Sequence, residues 1–199
     1  MQPSAESKRR MFKALFVDGS FLFHCIKGLA VRIDYKKLKD LFLTPDDNLI
    51  SASYYTALPN EYDLEDKHKS FLRILKKEVR IKIRSVPLLK SYDNNHQQSP
   101  LVHAFPQVTG RYSKGEDILL ACDMVRGAAL NYFDCAILIS GDGDFVPAVN
   151  MLQELGKYVI VASFRSALSH ALELEANEVV YLDDVMDRIK FDDPLPMKD

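Results

Sequence analysis

Apolar residues along the chain gather into short runs separated by polar, helix-patterned stretches. Six runs read as strands: "MFKALFV" (11–17), "LISASYYTAL" (49–58), "VRIKIRSV" (79–86), "CAILIS" (135–140), "YVIVAS" (158–163) and "EVVYL" (178–182). Helical patterns fall between them over about 20–30, 34–43, 63–78, 114–131, 145–155 and 166–176. Strands alternating with helices in this way predict a parallel sheet covered on both faces, a Rossmann-like three-layer α/β/α sandwich with a mainly parallel central sheet.

Local signals place several boundaries. Ser113 and Glu116 have the S-x-x-E spacing of a capping box, and Ile118, Cys122, Val125 and Ala129 then repeat at helical spacing as an expected core stripe. The helix after Asp144 has Pro147 in its first turn and Gly156 at its expected C-terminal end. In "RIKIR" (80–84), Ile81 and Ile83 alternate with Arg80, Lys82 and Arg84, as in a strand with one basic exposed face. The polar stretch 91–112, with two prolines, reads as an irregular insertion. The pattern therefore predicts a loose N-terminal tail over 1–10, one domain over 11–185, and a C-terminal tail over 186–199.

Length and composition agree with one domain, since 199 residues at 47% hydrophobic content suffice for a full core. The three cysteines form no C-x-x-C pair and leave one over from any disulfide, which suits a reducing cytoplasm. The basic N-terminus has too short an apolar run for a signal peptide or membrane span, so no membrane partner is expected. The net charge of −2 argues against nucleic-acid binding through bulk charge, which leaves the distribution to decide. Arg73, Lys76, Lys77, Arg80, Lys82, Arg84 and Lys90 face only Glu78 across 73–90, while 173–193 is mainly acidic. This basic run suits either phosphate contacts or the guarding of an edge strand. Tyr92, His96, His103, Phe105 and Tyr112 next to it are candidates for stacking on unpaired bases.

The acids carry the strongest chemical signal. Ligands of an open parallel sheet gather beyond the carboxyl ends of its strands. Asp18 follows "KALFV" directly, Asp142 and Asp144 follow "AILISG", and Asp117 opens the helix leading to that strand. Each alone has an ordinary explanation, as a turn, a helix cap or a first-turn acid. Their joint arrival from three segments favours a shared divalent cation, because converging carboxylates raise one another's pKa and hard oxygen ligands suit Mg²⁺ or Mn²⁺. Asp123 lies six residues beyond Asp117, about 120° around the helix, and is a second-tier acid suited to pairing with a basic side chain. Ser20, Lys114 and Ser140 are candidate phosphate contacts at this edge, and Arg80, Lys82 and Arg84 candidate contacts to a phosphate backbone. Gly141 and Gly143 are expected to turn the backbone sharply at the strand end. His24, His103 and His170 show no ligand spacing and receive no role. The P-loop, dinucleotide fingerprint, EF-hand, serine-hydrolase and zinc-protease signatures are absent.

The stretches "FVDGS" (16–20), "KGEDILLACDMV" (114–125), "DCAILISGDGDFVPAVNMLQELGKYVIVASF" (134–164) and "SHALELEANEVVYL" (169–182) resemble the NYN domain in its LabA-like branch, within the PIN-like nuclease superfamily. The resemblance implies a PIN-like fold in which Asp18, Asp117, Asp142 and Asp144 hold Mg²⁺ or Mn²⁺ and cleave RNA phosphodiester bonds. It implies RNA as the partner, which the aromatic residues beside the basic run favour as single-stranded, and a homodimer is a further expectation. Two positions depart from the family pattern: Phe21 stands where D-G-x-N has Asn, and Asn177 where A-D-x-F has Asp. The alternative function is a catalytically degenerate RNA-binding or scaffold member. A binder of small phosphates or nucleotides at the same edge is a third reading.

Overall fold

The computed structural model describes residues 11–27, 29, 31–45, 47–58, 66–87 and 115–192. Strands β1 (Phe12–Asp18), β2 (Asn48–Leu58), β3 (Lys82–Pro87), β4 (Cys135–Ile139), β5 (Tyr158–Ser163) and β6 (Glu178–Tyr181) form one sheet in the order β3-β2-β1-β4-β5-β6. Every neighbouring pair is parallel, so the described sheet is wholly parallel rather than mainly so.

The near-continuous apolar character of the central strands follows from burial on both faces. Leu15 and Val17 of β1 join Ile137, Ile139, Ile160 and Ala162 in one core, while Ala14 and Phe16 join Ala136, Leu138, Val159 and Val161 in the other. Helices α1 (Gly19–Ile26), α2 (Tyr35–Leu41), α3 (Asp66–Lys77) and α7 (Leu182–Ile189) cover the first core. Helices α4 (Glu116–Ala129), α5 (Val146–Glu154) and α6 (His170–Glu175) cover the second. Strands β2 and β3 are laid down on one side of β1 and β4 to β6 on the other, with their crossovers on opposite faces. The gap between the ends of β1 and β4 is therefore the switch point at which such sheets open a crevice.

Four expectations change. The chain does not become a tail at 186: α7 continues to Ile189, packs against α2, and buries Leu182 and Ile189 completely. Helix α4 buries Leu120, Met124, Gly127 and Ala128 instead of the expected stripe, leaving Ile118 70% exposed and Cys122 exposed. Leucines, methionine and valine lie all around this helix, so spacing alone did not select its inner face. Its N-cap is Gly115 at φ 124, not a Ser113 capping box, and Ser113 lies outside the described residues. A positive φ of that size is readily adopted only by glycine. Finally, Arg80 has φ 60 in the turn before β3, so the basic alternation begins at Lys82. Residues 1–10, 193–199 and the insertion at 91–112 lie outside the described residues.

Lys13 is a buried cation on β1. Its Nζ donates to the Phe42 carbonyl at 2.8 Å and pairs with Asp47 at 2.8 Å. Burial works against the Asp47 carboxylate, but hydrogen bonds from Lys13 and Thr44 outweigh it and bring its pKa down to about 2.

If α7 belongs to the folded unit, Ile189→Ala lowers unfolding free energy by about 2 to 4 kcal/mol in urea titrations. An unchanged midpoint would remove α7 from the cooperative core.

Candidate functional site

Strand β1 ends on Asp18, which is only 3% exposed. Its Oδ1 accepts the Phe21 backbone N–H at 2.9 Å and so caps α1, while its Oδ2 accepts the Ser140 hydroxyl at 2.9 Å. The Ser140 oxygen in turn accepts the Asp142 backbone N–H at 3.2 Å. One fully buried hydroxyl thus links the β1 carboxylate to the loop after β4. Burial drives the Asp18 pKa up, and the Glu116 and Asp142 charges add to that, against the two hydrogen bonds that pull it down.

Asp142 Oδ1 accepts the Asp144 N–H at 2.9 Å and caps a single helical turn, Gly143–Phe145, that leads into α5. Both aspartates reach solvent. Gly141 and Gly143, on either side of Asp142, have a different reason from the expected sharp turn, since neither has a positive φ. A Cβ on Gly141 would lie 2.2 Å from the Ala167 carbonyl oxygen, and one on Gly143 would lie 2.7 Å from Ser169 Oγ. The Gly141 carbonyl also accepts the Ser169 N–H at 2.8 Å. What requires glycine here is the close approach of the segment following β5.

Helix α4 brings the third group of acids. Glu116 is buried, with Oε1 accepting the Ser20 hydroxyl at 2.9 Å, and Asp117 follows it in the same first turn. Although Asp117 reaches solvent, surrounding protein desolvates it, and the charges of Asp18, Glu116, Asp142 and Asp144 then raise its pKa to about 6. All four expected aspartates therefore lie within each other's field, and Glu116 is a fifth acid that sequence reasoning missed. Its neighbour Asp117 in "KGED" was the available signal, but the misassigned face of α4 concealed its burial.

The fit to a divalent cation is mixed. The donors are all carboxylate oxygens, and a cation would relieve the repulsion recorded at Asp117. Among the described residues, however, no three His, Cys, Asp or Glu side chains stand close enough together to hold a metal as placed.

Several assigned residues do other work. Ser140 is fully buried and spends its hydroxyl on Asp18 and the Asp142 N–H, so it makes no phosphate contact in this arrangement. Ser20 ties α1 to α4 through Glu116. Arg84 is not free for RNA: its Nε and Nη2 donate to Asp123 at 2.7 and 3.0 Å, and the Tyr55 hydroxyl donates to the same carboxylate at 3.0 Å. Asp123 is thus the partner of a basic side chain, as its helical position suggested. Arg80 and Lys82 are exposed, but they lie where α3 ends and β3 begins. In a parallel sheet that is the edge opposite the acids, so the basic run does not lead into the acidic site. Lys114 lies outside the described residues, as do Lys90 and the aromatic residues of 91–112.

The two family departures separate in space. Asn177 Oδ1 accepts the Val159 N–H at 2.8 Å, at the start of β5 and far from the acid edge, so an acceptor is retained where the pattern has Asp. Phe21, by contrast, lies beside Asp142 in the lining of a surface cavity.

A doubly wound parallel sheet with acids gathered at its central switch point is the architecture of the PIN-like nuclease class. Within it, the NYN domain model matches residues 13–183, and the chain belongs to that family. The low amplitude and bright protein LabA of Synechococcus elongatus is 25% identical over 173 residues, covering 86% of this chain and 84% of that protein. A crystal structure of a protein of unknown function from Vibrio parahaemolyticus matches with a TM-score of 0.68 at 22% identity. It covers 94% of this chain and all of that one, and supports the fold. No helix among the described residues is long and apolar enough to cross a membrane.

Asp117 gives a pH-dependent test in chelator. Its folded pKa lies above the ordinary 3.8, so the stability it supports is complete below 3.8 and declines as pH rises through about 6. Asp117→Asn should therefore melt higher than wild type at neutral pH and converge with it on acidification. A melting difference independent of pH would contradict the shift. Gly141→Ala should cost about 1 to 3 kcal/mol in chemical denaturation, because backbone must move to admit the methyl group.

Proposed function

We propose that the chain is a divalent-metal-dependent, ribonuclease-like protein that hydrolyses RNA phosphodiester bonds, acting on single-stranded RNA. The observation that carries this reading is the convergence of acids from β1, α4 and the β4–α5 loop, with Asp117 raised to about 6 by burial and then by the charges of its neighbours. Membership of a PIN-like nuclease family supports it. So does the agreement in chain order between Asp18, Asp117, Asp142 and Asp144 and the family motifs.

Asp18, Asp117, Asp142 and Asp144 would hold Mg²⁺ or Mn²⁺. When bound, such an ion lowers the pKa of a coordinated water and neutralises charge on phosphate oxygens. The protein's own work is positional. The Phe21 N–H and Ser140 hydroxyl fix both oxygens of Asp18, and Ser140 sets the loop that carries Asp142. Glu116 accepts the Ser20 hydroxyl and is among the acids whose charges raise the Asp117 pKa. The free thiols of Cys25, Cys122 and Cys135 support placement in a reducing cytoplasm.

A second reading, a binding-only member of the family, is favoured by Phe21 in place of the family's Asn and by the lack of a ready three-carboxylate cluster among the described residues. Incubation of the protein with single-stranded RNA and Mn²⁺ separates the two. The hydrolytic reading expects cleavage that Asp142→Asn abolishes and that Ser140→Ala reduces by about 10- to 100-fold through loss of support to Asp18. Absence of cleavage across a range of RNAs and metals, with RNA binding intact in Asp142→Asn, leaves the binding-only reading.

A further inference from the structure

Beside the acids lies a cavity of about 470 Å³, lined by Phe21, His24, Cys25, Asp142, Ser166 and Ala167. It lies within the general size range of small-ligand sites. Its walls come from α1 and from the turn Arg165–Ala167 after β5, and it shares one residue, Asp142, with the acid cluster. We infer that this cavity is a nucleobase subsite, holding one unpaired base of RNA against the Phe21 ring while the adjoining phosphate lies at Asp142. The inference rests on the reading of the acid edge as an RNA site and names the contact that selects single-stranded substrate.

The chemistry of the lining matches a base better than a uniformly apolar or a fully charged ligand. Phe21 is half-buried, its ring packed against the core beneath, and with Ala167 it offers an apolar wall. His24 and Ser166 are exposed and place an imidazole and a hydroxyl at the rim. A base needs the same combination, an apolar face and hydrogen-bonding edges, and aromatic stacking accepts any base. A paired base is excluded because its face is covered within the duplex stack. The neighbouring cation, Arg165, is already occupied: its guanidinium lies 3.7 Å from the centre of the Tyr181 ring and pairs with Asp184. Phe21 thus occupies the family's Asn position with a group that binds substrate by its face. His24, without a role by its spacing in the sequence, gains one from its place on the rim.

The test is a binding cycle run with Mg²⁺ and, separately, in chelator, comparing a short single-stranded oligoribonucleotide with an abasic ribose-phosphate chain of the same length. Phe21→Leu keeps the apolar volume and removes the flat ring, and Ser166→Trp fills the cavity from its exposed side. Each variant should weaken binding of the oligoribonucleotide by about 5- to 100-fold, the range expected for one stacked base. Neither should change binding of the abasic chain. Equal losses for both chains, or no loss for either, overturn the subsite. Cleavage of RNA by wild type without this base dependence would leave the hydrolytic reading standing and the subsite rejected. Base-dependent binding in a protein that cleaves no RNA would keep the subsite and reject hydrolysis.

Discussion

The Asp18 carboxylate joins the two halves of the molecule at their seam. Removing it from water is costly, and its position depends on two donors that arrive from different directions, the Phe21 N–H of its own helix and the Ser140 hydroxyl of β4's loop. Because Ser140 also receives the Asp142 N–H, the end of β1 and the loop after β4 are fixed to each other by side-chain chemistry as well as by the sheet. The remaining acids are arranged around this fixed charge. The starts of α1, of α4 and of the turn before α5 all meet here, and the positive ends of their backbone dipoles make the concentration of negative charge tolerable.

Tolerable does not mean favourable. Five carboxylates in one crevice oppose folding, and the raised pKa of Asp117 records that opposition. A structure concerned only with stability would replace several of them. The basic residues illustrate the reverse case. Arg80 and Lys82 lie at the opposite edge of the sheet, and β3 is its outermost described strand, so their positions suit protection of an exposed edge.

The strands were legible because β1, β4 and β5 are short, mostly apolar and bounded by turn residues, a pattern that burial on both faces imposes. Placement of Asp18, Asp142 and Asp144 at one edge followed directly from strand direction. Helix α7 was not legible, because Asp183, Asp184, Asp187 and Arg188 give "LDDVMDRI" the composition of a solvated tail, and its burial depends on α2, distant in sequence. Glu116 was hidden for a similar reason: its partner Ser20 is 96 positions away. The basic run was legible as a composition, and its two readings, phosphate contacts or edge protection, could not be separated until the end of β3 that carries Lys82 was known.

The contact between Arg84 and Asp123 works as a clasp. It fastens the last strand before the 88–114 segment to the helix that follows it, with Tyr55 as a third point of attachment. Both ends of that segment are therefore anchored to the sheet independently of what lies between them. The entropic cost of closing a loop rises only with the logarithm of its length, roughly 0.6 kcal/mol per doubling. The intervening chain can then be lengthened, shortened or replaced through evolution without moving Glu116 and Asp117, which leaves it open to diversification while the acidic crevice is held constant.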